Sequence, residues 1–162
     1  MKTVCLLYGG NIGESDYFFE RATGILKNVI GNSTVSSSVY VSDAWGFTSD
    51  NKFLNKLVLF ETDLSAEDVL TTCLETEEFL GRLRSSMPGY SDRLIDIDVL
   101  YMEDIIINTK QLILPHPRLQ DRLFALVPLC EVIPEFIHPV LQKSNKSLLS
   151  LCNDKSKVEK LK

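Results

Sequence analysis

The chain has 162 residues, of which 44% are hydrophobic and 24% charged; these proportions are typical of a globular protein and exclude a disordered or fibrous one. The 17 basic and 22 acidic residues give a formal net charge of −5, so there is no general attraction to nucleic acid or to acidic membranes. No apolar run is long enough to span a bilayer, and no repeat or linker divides the sequence. We therefore expect one domain over residues 1–162, in which the polar residues 153–162 form a frayed tail.

Hydrophobic periodicity predicts six main elements in the order strand, helix, strand, strand, helix, strand. Their predicted ranges are 2–8, 14–30, 34–40, 53–62, 65–80 and 94–101, with a turn at 9–11. Ser65 is placed as the N-cap of the second helix, and Gly81 follows its end. This βαββαβ order predicts the α+β class, with a ferredoxin-like core in which helices pack on a mainly antiparallel sheet.

Shorter structures are predicted beyond the sixth element. Residues 105–107 have the pattern of an edge strand, and a helical pattern covers about 119–127. Pro128 and two later prolines are expected to interrupt regular structure after that helix. His138 lies among apolar neighbours and is expected to be structural.

The cysteines and the start of the chain favour the cytoplasm. The four cysteines have no metal-binding or redox spacing and lie among apolar neighbours, which indicates free thiols in a reducing compartment. The first apolar run ends at Gly9 and is too short for a signal sequence. We expect a cytoplasmic monomer.

The clearest signal for chemistry is the pair Asp96 and Asp98. Successive side chains of a strand point to opposite faces, so both acids share one face, about 6–7 Å apart. Placed in this way, they can converge on a hard cation that bridges phosphate oxygens. A solvated acidic face of the sheet is the alternative, although Leu94 and Leu100 make that face half apolar.

A third acidic residue, Glu77, lies near the middle of an apolar stripe on the second helix. The stripe consists of Ala66, Leu70, Cys73, Leu74 and Leu80. A carboxylate on an inward face needs a partner. Glu77 therefore holds a nearby arginine, contacts a ligand or reaches round the helix end to solvent.

Three arginines, Arg82, Arg84 and Arg93, bracket the loop between the second helix and the acidic strand. A guanidinium offers a planar fork of donors that matches phosphate oxygens. Next to a possible metal-binding pair, three of them suit a polyphosphate. Ordinary surface arginines remain the alternative.

A third group of residues suits a flat, polar ligand. Phe53 and Asn55 share one face of a predicted strand, and Phe124 follows in a later helix. Phenyl rings can sandwich a heterocycle while an amide binds its edge, although each Phe taken alone fits the core equally well. His116, held between two prolines, and Arg122 lie in the segment that leads to Phe124.

Assembled, these motifs resemble the 6-hydroxymethyl-7,8-dihydropterin pyrophosphokinase family of the folate pathway. The resemblance covers about residues 4–149, and the spaced set R-x-R, R-x-x-D-x-D, P-H-P and R-x-F is highly specific, although no single piece is. The stretches that carry it are FLN from Phe53, EEFLGRLR from Glu77, DRLIDID from Asp92, LPHPRLQDRLFALVP from Leu114 and FIHPVL from Phe136.

The resemblance implies transfer of the pyrophosphoryl group of ATP to the hydroxymethyl oxygen of the dihydropterin, giving AMP. It implies two Mg²⁺ ions held by Asp96 and Asp98, with Arg82 and Arg93 as further catalytic residues in mobile loops. The residues implied to bind ATP are Glu77, Arg84, His116 and Arg122, and those implied to bind the pterin are Ser42, Trp45, Phe53, Asn55 and Phe124. ATP and the pterin are the expected partners, with no nucleic acid and no membrane.

Three positions depart from the family pattern. Gly10 stands where serine is usual, Asp43-Ala44 replaces a proline-containing pair, and Ser85 follows Arg84 where some members have a basic residue. Two other classes of protein share part of the pattern. A non-catalytic ferredoxin-like ligand sensor would not need the acids and arginines, and a metal-dependent phosphohydrolase would not need the Phe-Asn-Phe set.

Overall fold

The computed structural model describes residues 1–83 and 89–162. Its strands are β1 Lys2–Gly10, β2 Ser33–Ser36, β3 Tyr40–Ser42, β4 Phe53–Thr62, β5 Asp96–Met102, β6 Ile107–Asn108, β7 Ile113–Leu114 and β8 Val158–Lys160. Its helices are α1 Ser15–Val29, α2 Ala66–Phe79, α3 Leu123–Val132 and α4 Asn145–Leu151, and a 3-10 turn spans Leu119–Asp121. None of the described helices is long and apolar enough to cross a membrane.

The main sheet has the order β5-β1-β4-β3-β8, with β2 also paired to β4, and every pairing is antiparallel. Helices α1 and α2 cover one face, and α3 and α4 cover the other. The βαββαβ unit consists of β1, α1, the β2/β3 segment, β4, α2 and β5. The predicted ferredoxin-like α+β fold is confirmed.

Strand β1 lies at the centre of the sheet and is buried on both sides, which explains its nearly continuous apolar sequence. Leu6 and Tyr8 pack against the α1 and α2 layer, while Cys5 and Leu7 pack against the α3 and α4 layer. The strand continues through the glycines predicted as a turn. A Cβ on Gly10 would lie 2.4 Å from the backbone oxygen of Leu94, so a larger residue here would require the loop before β5 to move.

Two predicted strands differ in the structure. The strand predicted over 34–40 is divided into β2 and β3, because the Ser37 hydroxyl accepts a hydrogen bond from the Leu57 N–H (2.9 Å) in place of a backbone carbonyl. The edge strand predicted over 105–107 is wrong. Ile105 donates its N–H back to Met102 (3.1 Å) in a turn, and β6 then pairs with β7 in a separate two-stranded sheet.

The helix predicted over 119–127 begins later and ends later. The 3-10 turn occupies its first residues, and α3 passes through Pro128 to Val132. Helix α4 was not predicted. The expected frayed tail is also wrong, because β8 pairs with β3 in register, with Ser42 opposite Val158. A short polar segment gains its order from the edge of a sheet, which local periodicity does not reveal.

The buried face of α2 is wider than the predicted stripe. Ala66, Cys73 and Glu77, all on the predicted face, are buried, and Thr72 and Thr76 are buried beside them, whereas Leu74 is 39% exposed. Both threonine hydroxyls donate to carbonyl oxygens one turn earlier in the helix, at 2.8 and 2.7 Å. Polar side chains satisfied in this way can be buried, so the apolar stripe gave the correct face, missed the two threonines and misplaced Leu74.

Candidate active site

Asp96 and Asp98 lie near the start of β5 and point to the α3 side of the sheet, while Ile97 between them packs into the α1 and α2 layer. Asp96 binds two guanidiniums, since Oδ1 accepts from Arg82 Nη1 and Oδ2 lies 3.0 Å from Arg93 Nη2. The two catalytic arginines expected from the sequence therefore meet on one carboxylate.

Glu77 fixes Arg82 from the other side. Its carboxylate is almost fully buried; one oxygen accepts the Ile97 N–H at 2.7 Å and the other accepts from Arg82 Nη1 at 2.7 Å. Gly81, with a positive φ of 93°, ends α2 and turns the chain so that Arg82 reaches back to this acid. Glu77 thus connects α2, β5 and the first arginine of the loop.

Asp98 faces a second cationic group. Arg122 Nη1 lies 3.2 Å from Asp98 Oδ2 and 3.4 Å from His116 Nε2. The Arg122 guanidinium is buried, with its carbon 4.9 Å from the Trp45 ring centroid and 5.6 Å from that of Phe124. Arg122 therefore joins the acidic pair to a group of aromatic rings.

The two aspartates differ in the pKa of their carboxyl groups. Burial raises the pKa of Asp98 to about 6, assisted by the negative charge of Asp96. Burial also opposes ionisation of Asp96, but Arg93 and Arg82 outweigh it and lower the pKa of that carboxyl. In the free site, arginines balance the charge of Asp96, whereas burial and the charge of Asp96 destabilise the charge of Asp98. A bound divalent cation would stabilise that charge.

His116 is uncharged at neutral pH, because burial and the charge of Arg122 lower its pKa to about 4. Its Nδ1 accepts the Arg118 backbone N–H at 3.2 Å. Because Nδ1 accepts, the neutral ring carries its proton on Nε2, and the Arg122 guanidinium 3.4 Å away, itself a donor, cannot accept that proton. That N–H can donate to an anionic oxygen.

One pocket, here called the aromatic pocket, adjoins the acidic pair on the β3 and β4 side. It is lined by Leu7, Gly9, Ser42, Asp43, Trp45, Phe47, Phe53, Asn55, Tyr90, Arg93, Asp96, Asp98, Arg122 and Phe124. Asn55 is fully buried and donates to Ser42 Oγ at 2.8 Å, and the guanidinium of Arg93 lies 5.0 Å from the Phe53 ring centroid. Aromatic walls with one oriented amide suit a flat heterocycle that carries donors and acceptors on its edge.

Tyr90 closes the aromatic pocket and was missed by the sequence reasoning. Its hydroxyl accepts from Arg118 at 2.9 Å and from Arg122 at 3.0 Å, and its ring meets Trp45 edge-on at 5.7 Å. Its ring also lies against Gly46, where a Cβ would come within 3.0 Å of it. An aromatic residue inside an arginine-rich loop was the available signal.

A second pocket, here called the polar cleft, lies on the other side of the acidic pair. Its lining residues are Leu70, Leu74, Glu77, Arg82, Asp96, Ile97, Asp98, Val99, Lys110, Gln111, Leu112, Ile113, His116 and Pro117. Leu70, Leu74 and residues 110–113 are further residues that sequence reasoning did not select. Leu74 is exposed because it forms part of the wall of this cleft.

The described residues selected from the sequence all lie in these two pockets. The aromatic pocket contains Ser42, Trp45, Phe53, Asn55, Arg93, Arg122 and Phe124, the polar cleft contains Glu77, Arg82 and His116, and both contain Asp96 and Asp98. Arg84 and Ser85 lie outside the described residues.

Within residues 1–83 and 89–162, no group of three or more His, Cys, Asp or Glu side chains could hold a metal ion by itself. Two carboxylates fit Mg²⁺, because this ion keeps several waters and often takes one or two carboxylates together with phosphate oxygens of the substrate. The two carboxylates and the raised pKa of Asp98 both agree with a site in which the protein and the substrate phosphates bind the ion together.

The antiparallel sheet presents two acids between an aromatic pocket and an arginine-lined cleft. This arrangement is typical of an enzyme that binds a flat ligand beside a phosphate-bearing one. The sequence model of the 7,8-dihydro-6-hydroxymethylpterin-pyrophosphokinase (HPPK) family matches residues 5–134. This chain belongs to the HPPK family.

Named relatives agree over most of their length. A 2-amino-4-hydroxy-6-hydroxymethyldihydropteridine pyrophosphokinase from Aquifex aeolicus is 36% identical over 146 residues, covering 90% of this chain and 89% of the relative. The corresponding protein from Methylorubrum extorquens is 37% identical over 138 residues, covering 85% and 86%.

Solved structures share the fold. An HPPK-DHPS structure in complex with substrates matches with a TM-score of 0.74 at 12% identity, and a Plasmodium falciparum HPPK-DHPS with pteroate matches with 0.74 at 15%. Each covers 93% of this chain, but the chain spans only 43% and 44% of those longer proteins.

Proposed function

We propose that this chain transfers the pyrophosphoryl group of ATP to the hydroxymethyl oxygen of 6-hydroxymethyl-7,8-dihydropterin, as a step in folate biosynthesis. The pterin oxygen forms a bond to the β-phosphorus, and the bond from that phosphorus to the oxygen bridging to the α-phosphate breaks. AMP leaves with the bridging oxygen, the hydroxyl proton is released, and the other product is the pterin diphosphate.

The observation that carries this proposal is the position of Asp96 and Asp98, which line both pockets. A pterin in the aromatic pocket and a triphosphate in the polar cleft would meet at these acids. Holding two substrates side by side makes the reaction effectively unimolecular. This removes much of the entropic cost of bringing the reacting groups together.

The arginines would neutralise the charge of the triphosphate. Arg82 and Arg93 converge on Asp96, and Arg122 lies at Asp98, so three cations surround the point where the two pockets meet. Phosphoryl transfer depends on positioning and charge neutralisation more than on covalent assistance by the protein. We assign catalytic roles to Arg82 and Arg93 and ATP binding to Glu77, Arg84, His116 and Arg122.

We further propose that Asp96 and Asp98 hold two Mg²⁺ ions together with the phosphates. Bound Mg²⁺ would supply Lewis-acid polarisation and charge neutralisation at the phosphate oxygens. The chain's own part is to present both carboxylates on one face of β5, with Asp96 kept ionised by its arginines. Magnesium binding would also stabilise the charge of Asp98.

The aromatic pocket would orient the pterin. Phe53 and Phe124 offer apolar faces, and the buried Asn55, held by Ser42, offers an amide to the ring edge. Trp45 contacts Phe124 edge-on at 6.4 Å and would help to exclude water. An enzyme that hydrolysed a phosphate ester would have no need of this pocket.

We propose that the protein is one cytoplasmic domain and works as a monomer, with ATP and the pterin as its partners and with no nucleic acid or membrane. The net charge of −5 supports the absence of nucleic acid. Among the described residues, the lysine and arginine side chains that line the polar cleft are Arg82 and Lys110.

Product analysis tests the proposal. ATP, Mg²⁺ and the dihydropterin are incubated with the chain, and nucleotides are separated by chromatography. AMP formed in equal amount to pterin diphosphate is the expected result, whereas inorganic phosphate would indicate a phosphohydrolase and no turnover a binding module. Asp98→Asn, which keeps the size of the side chain but removes its charge, is the matched control and should form no more than traces of AMP.

A further inference from the structure

The segment that follows α4 packs behind two walls of the aromatic pocket. Helix α3 begins at Leu123, directly between Arg122 and Phe124, and Arg122 as the flanking residue provides no side-chain cap. Asp154 provides it instead, since its Oδ2 accepts the Leu123 N–H at 3.0 Å and its Oδ1 accepts the Ser156 N–H at 2.8 Å. A carboxylate at this position satisfies an N–H that the helix itself leaves unpaired.

The same segment also supports the opposite wall. Strand β8 pairs with β3, placing Val158 opposite Ser42, and Leu161 donates its N–H to Val39 at 2.8 Å. The Ser42 hydroxyl in turn holds the buried Asn55, so β8 lies directly behind the one amide of the pocket.

A polar cluster joins these two supports. Glu131 on α3 accepts from the Ser38 hydroxyl at 2.8 Å and from the Tyr40 hydroxyl at 3.0 Å, and Lys160 on β8 reaches the same carboxylate at 3.3 Å. Helix α3, strand β3 and strand β8 are therefore connected to one another at the back of the pocket.

We propose that residues 154–161 are a positioning element of the aromatic pocket, which fixes Arg122 and Phe124 through Asp154 and fixes Ser42 and Asn55 through β8. The segment lies outside residues 5–134, where the family pattern matches. None of its residues lines either pocket, so its action is indirect. In naming the pterin as the affected substrate, the inference rests on the proposed function.

Selectivity is the consequence that can be measured. Both supports end on walls of the aromatic pocket, whereas Glu77 and Arg82 of the polar cleft are fixed by α2 and β5. Loosening β8 should therefore weaken binding of the pterin and leave binding of ATP nearly unchanged, whereas loosening the Asp154 contact should affect both substrates, because Arg122 is assigned to ATP and Phe124 to the pterin. A general loss of folding stability would affect both substrates.

The first test compares Asp154→Ala with Asp154→Asn, which keeps an oxygen able to accept from Leu123. Steady-state KM values and calorimetric Kd values are measured for each substrate, with Asn153→Ala, an exposed neighbour, as control. Loss of one helix cap predicts a rise of about three- to tenfold in KM for the pterin in Asp154→Ala, through Phe124, and a rise in KM for ATP as well, through Arg122. Asp154→Asn and the control should stay near the unmodified protein.

A second pair of variants tests β8. Because Leu161 bonds to Val39 and bonded pairs alternate in an antiparallel ladder, Glu159 and Val41 form the next bonded pair. Glu159→Pro removes that N–H, whereas Glu159→Ala keeps it. The proline variant should show a selective rise in KM for the pterin, because β8 supports Ser42 and Asn55, and the alanine variant should not.

The outcomes separate this inference from the proposed function. Equal changes in both KM values in Glu159→Pro, or an unchanged KM for the pterin in both folded Asp154→Ala and Glu159→Pro, would overturn the positioning role while AMP formation by the unmodified chain remained. If the unmodified chain formed no AMP, the proposed function would fail first. Should Asp154→Ala not fold, the Glu159 pair decides.

Discussion

At the scale of single residues, the site consists of two aspartates with different surroundings. Among the described residues, Asp96 pairs with Arg82 and Arg93, while Asp98 pairs with Arg122 and has a pKa that burial raises to about 6. The same two residues that could be selected from the D-x-D spacing are thus unequal. The difference between their pKa values comes from the side chains around them.

We predict that Asp96→Ala and Asp98→Ala each lower kcat more than about 100-fold, because each removes a carboxylate expected to hold Mg²⁺ at the phosphates. Both side chains face the pockets, so the fold should survive. The measurement is AMP formation at saturating Mg²⁺, with circular dichroism as the check on folding. Near-normal rates in both variants would refute the metal role.

Arg82 and Arg93 are predicted to act on charge that develops in the transition state. Arg82→Lys and Arg93→Ala should lose about 100-fold in kcat and much less in nucleotide affinity. Lysine is chosen at position 82 because alanine would leave the buried Glu77 without this cation. Arg21→Ala, on the exposed side of α1, is the control. Weaker ATP binding at unchanged kcat would instead make both residues ground-state binders.

His138 provides a prediction about pH. Its Nδ1 accepts backbone N–H groups from Val140 at 3.2 Å and Leu141 at 3.1 Å, and burial lowers its pKa. A depressed folded pKa means that its stabilising effect is complete above the unfolded value of about 6.5 and is lost as pH falls through the folded value. Acid should therefore weaken the fold through this turn.

The measurement is the free energy of unfolding by urea between pH 7.5 and 4.5, for the unmodified chain and for His138→Asn. Asparagine keeps an acceptor near Nδ1 but does not titrate. The unmodified chain should lose stability relative to the variant as pH falls, and His116 titrates in both and cancels. A constant difference across this range would contradict the prediction.

At the scale of elements, two loops meet over the aromatic pocket. The Asp92 carboxylate accepts from Ser49 and from Asn11, both at 2.6 Å, which connects residues 89–93 to the 43–52 loop and to the end of β1. Trp45 and Tyr90 make a further contact between the same loops. Two segments that contact each other thus lie over the site.

We predict that these loops open in the free protein and close when both substrates are bound, since transfer to an alcohol must exclude water. Amide hydrogen exchange in residues 43–51 and 89–93 should slow when an unreactive ATP analogue, Mg²⁺ and the pterin are added together. Amides inside β4 are the internal control. Equally slow exchange in the free and ternary states would count against gating, and it would leave the reaction itself untouched.

At the scale of the whole molecule, the edges of the main sheet are covered or polar. The His116 N–H binds the Leu100 carbonyl at 3.0 Å, so the segment after β7 covers part of the outer side of β5. Strand β8 at the other end has only three residues, two of them charged. Short, charged or covered edges disfavour pairing between molecules.

We therefore predict a monomer at concentrations up to about 100 µM, to be measured by light scattering coupled to size-exclusion chromatography. The mass should remain that of one chain across a range of concentrations. A mass that rises towards twice this value with concentration would show self-association and overturn the prediction.

The sequence by itself determined the βαββαβ order, the bounds of β4, the N-cap of α2 and the pairing of Asp96 with Asp98 on one face. These features depend on local periodicity, capping chemistry and the alternation of a strand, all of which are written in neighbouring residues. The described site residues chosen from motifs also lie together, because the motifs flank elements whose order fixes their neighbours in the sheet.

Only the tertiary structure decided that Leu74 of α2 is exposed, that residues 158–160 form a strand, and that Tyr90 joins Arg118 to Arg122. Each depends on partners far away in sequence: the residues that line the polar cleft with Leu74, an open sheet edge, and two loops that meet across a pocket. The pKa of Asp98 belongs to this group as well, because burial and the charge of Asp96 arise from the folded site. Contacts between distant residues leave no periodic signal in the chain.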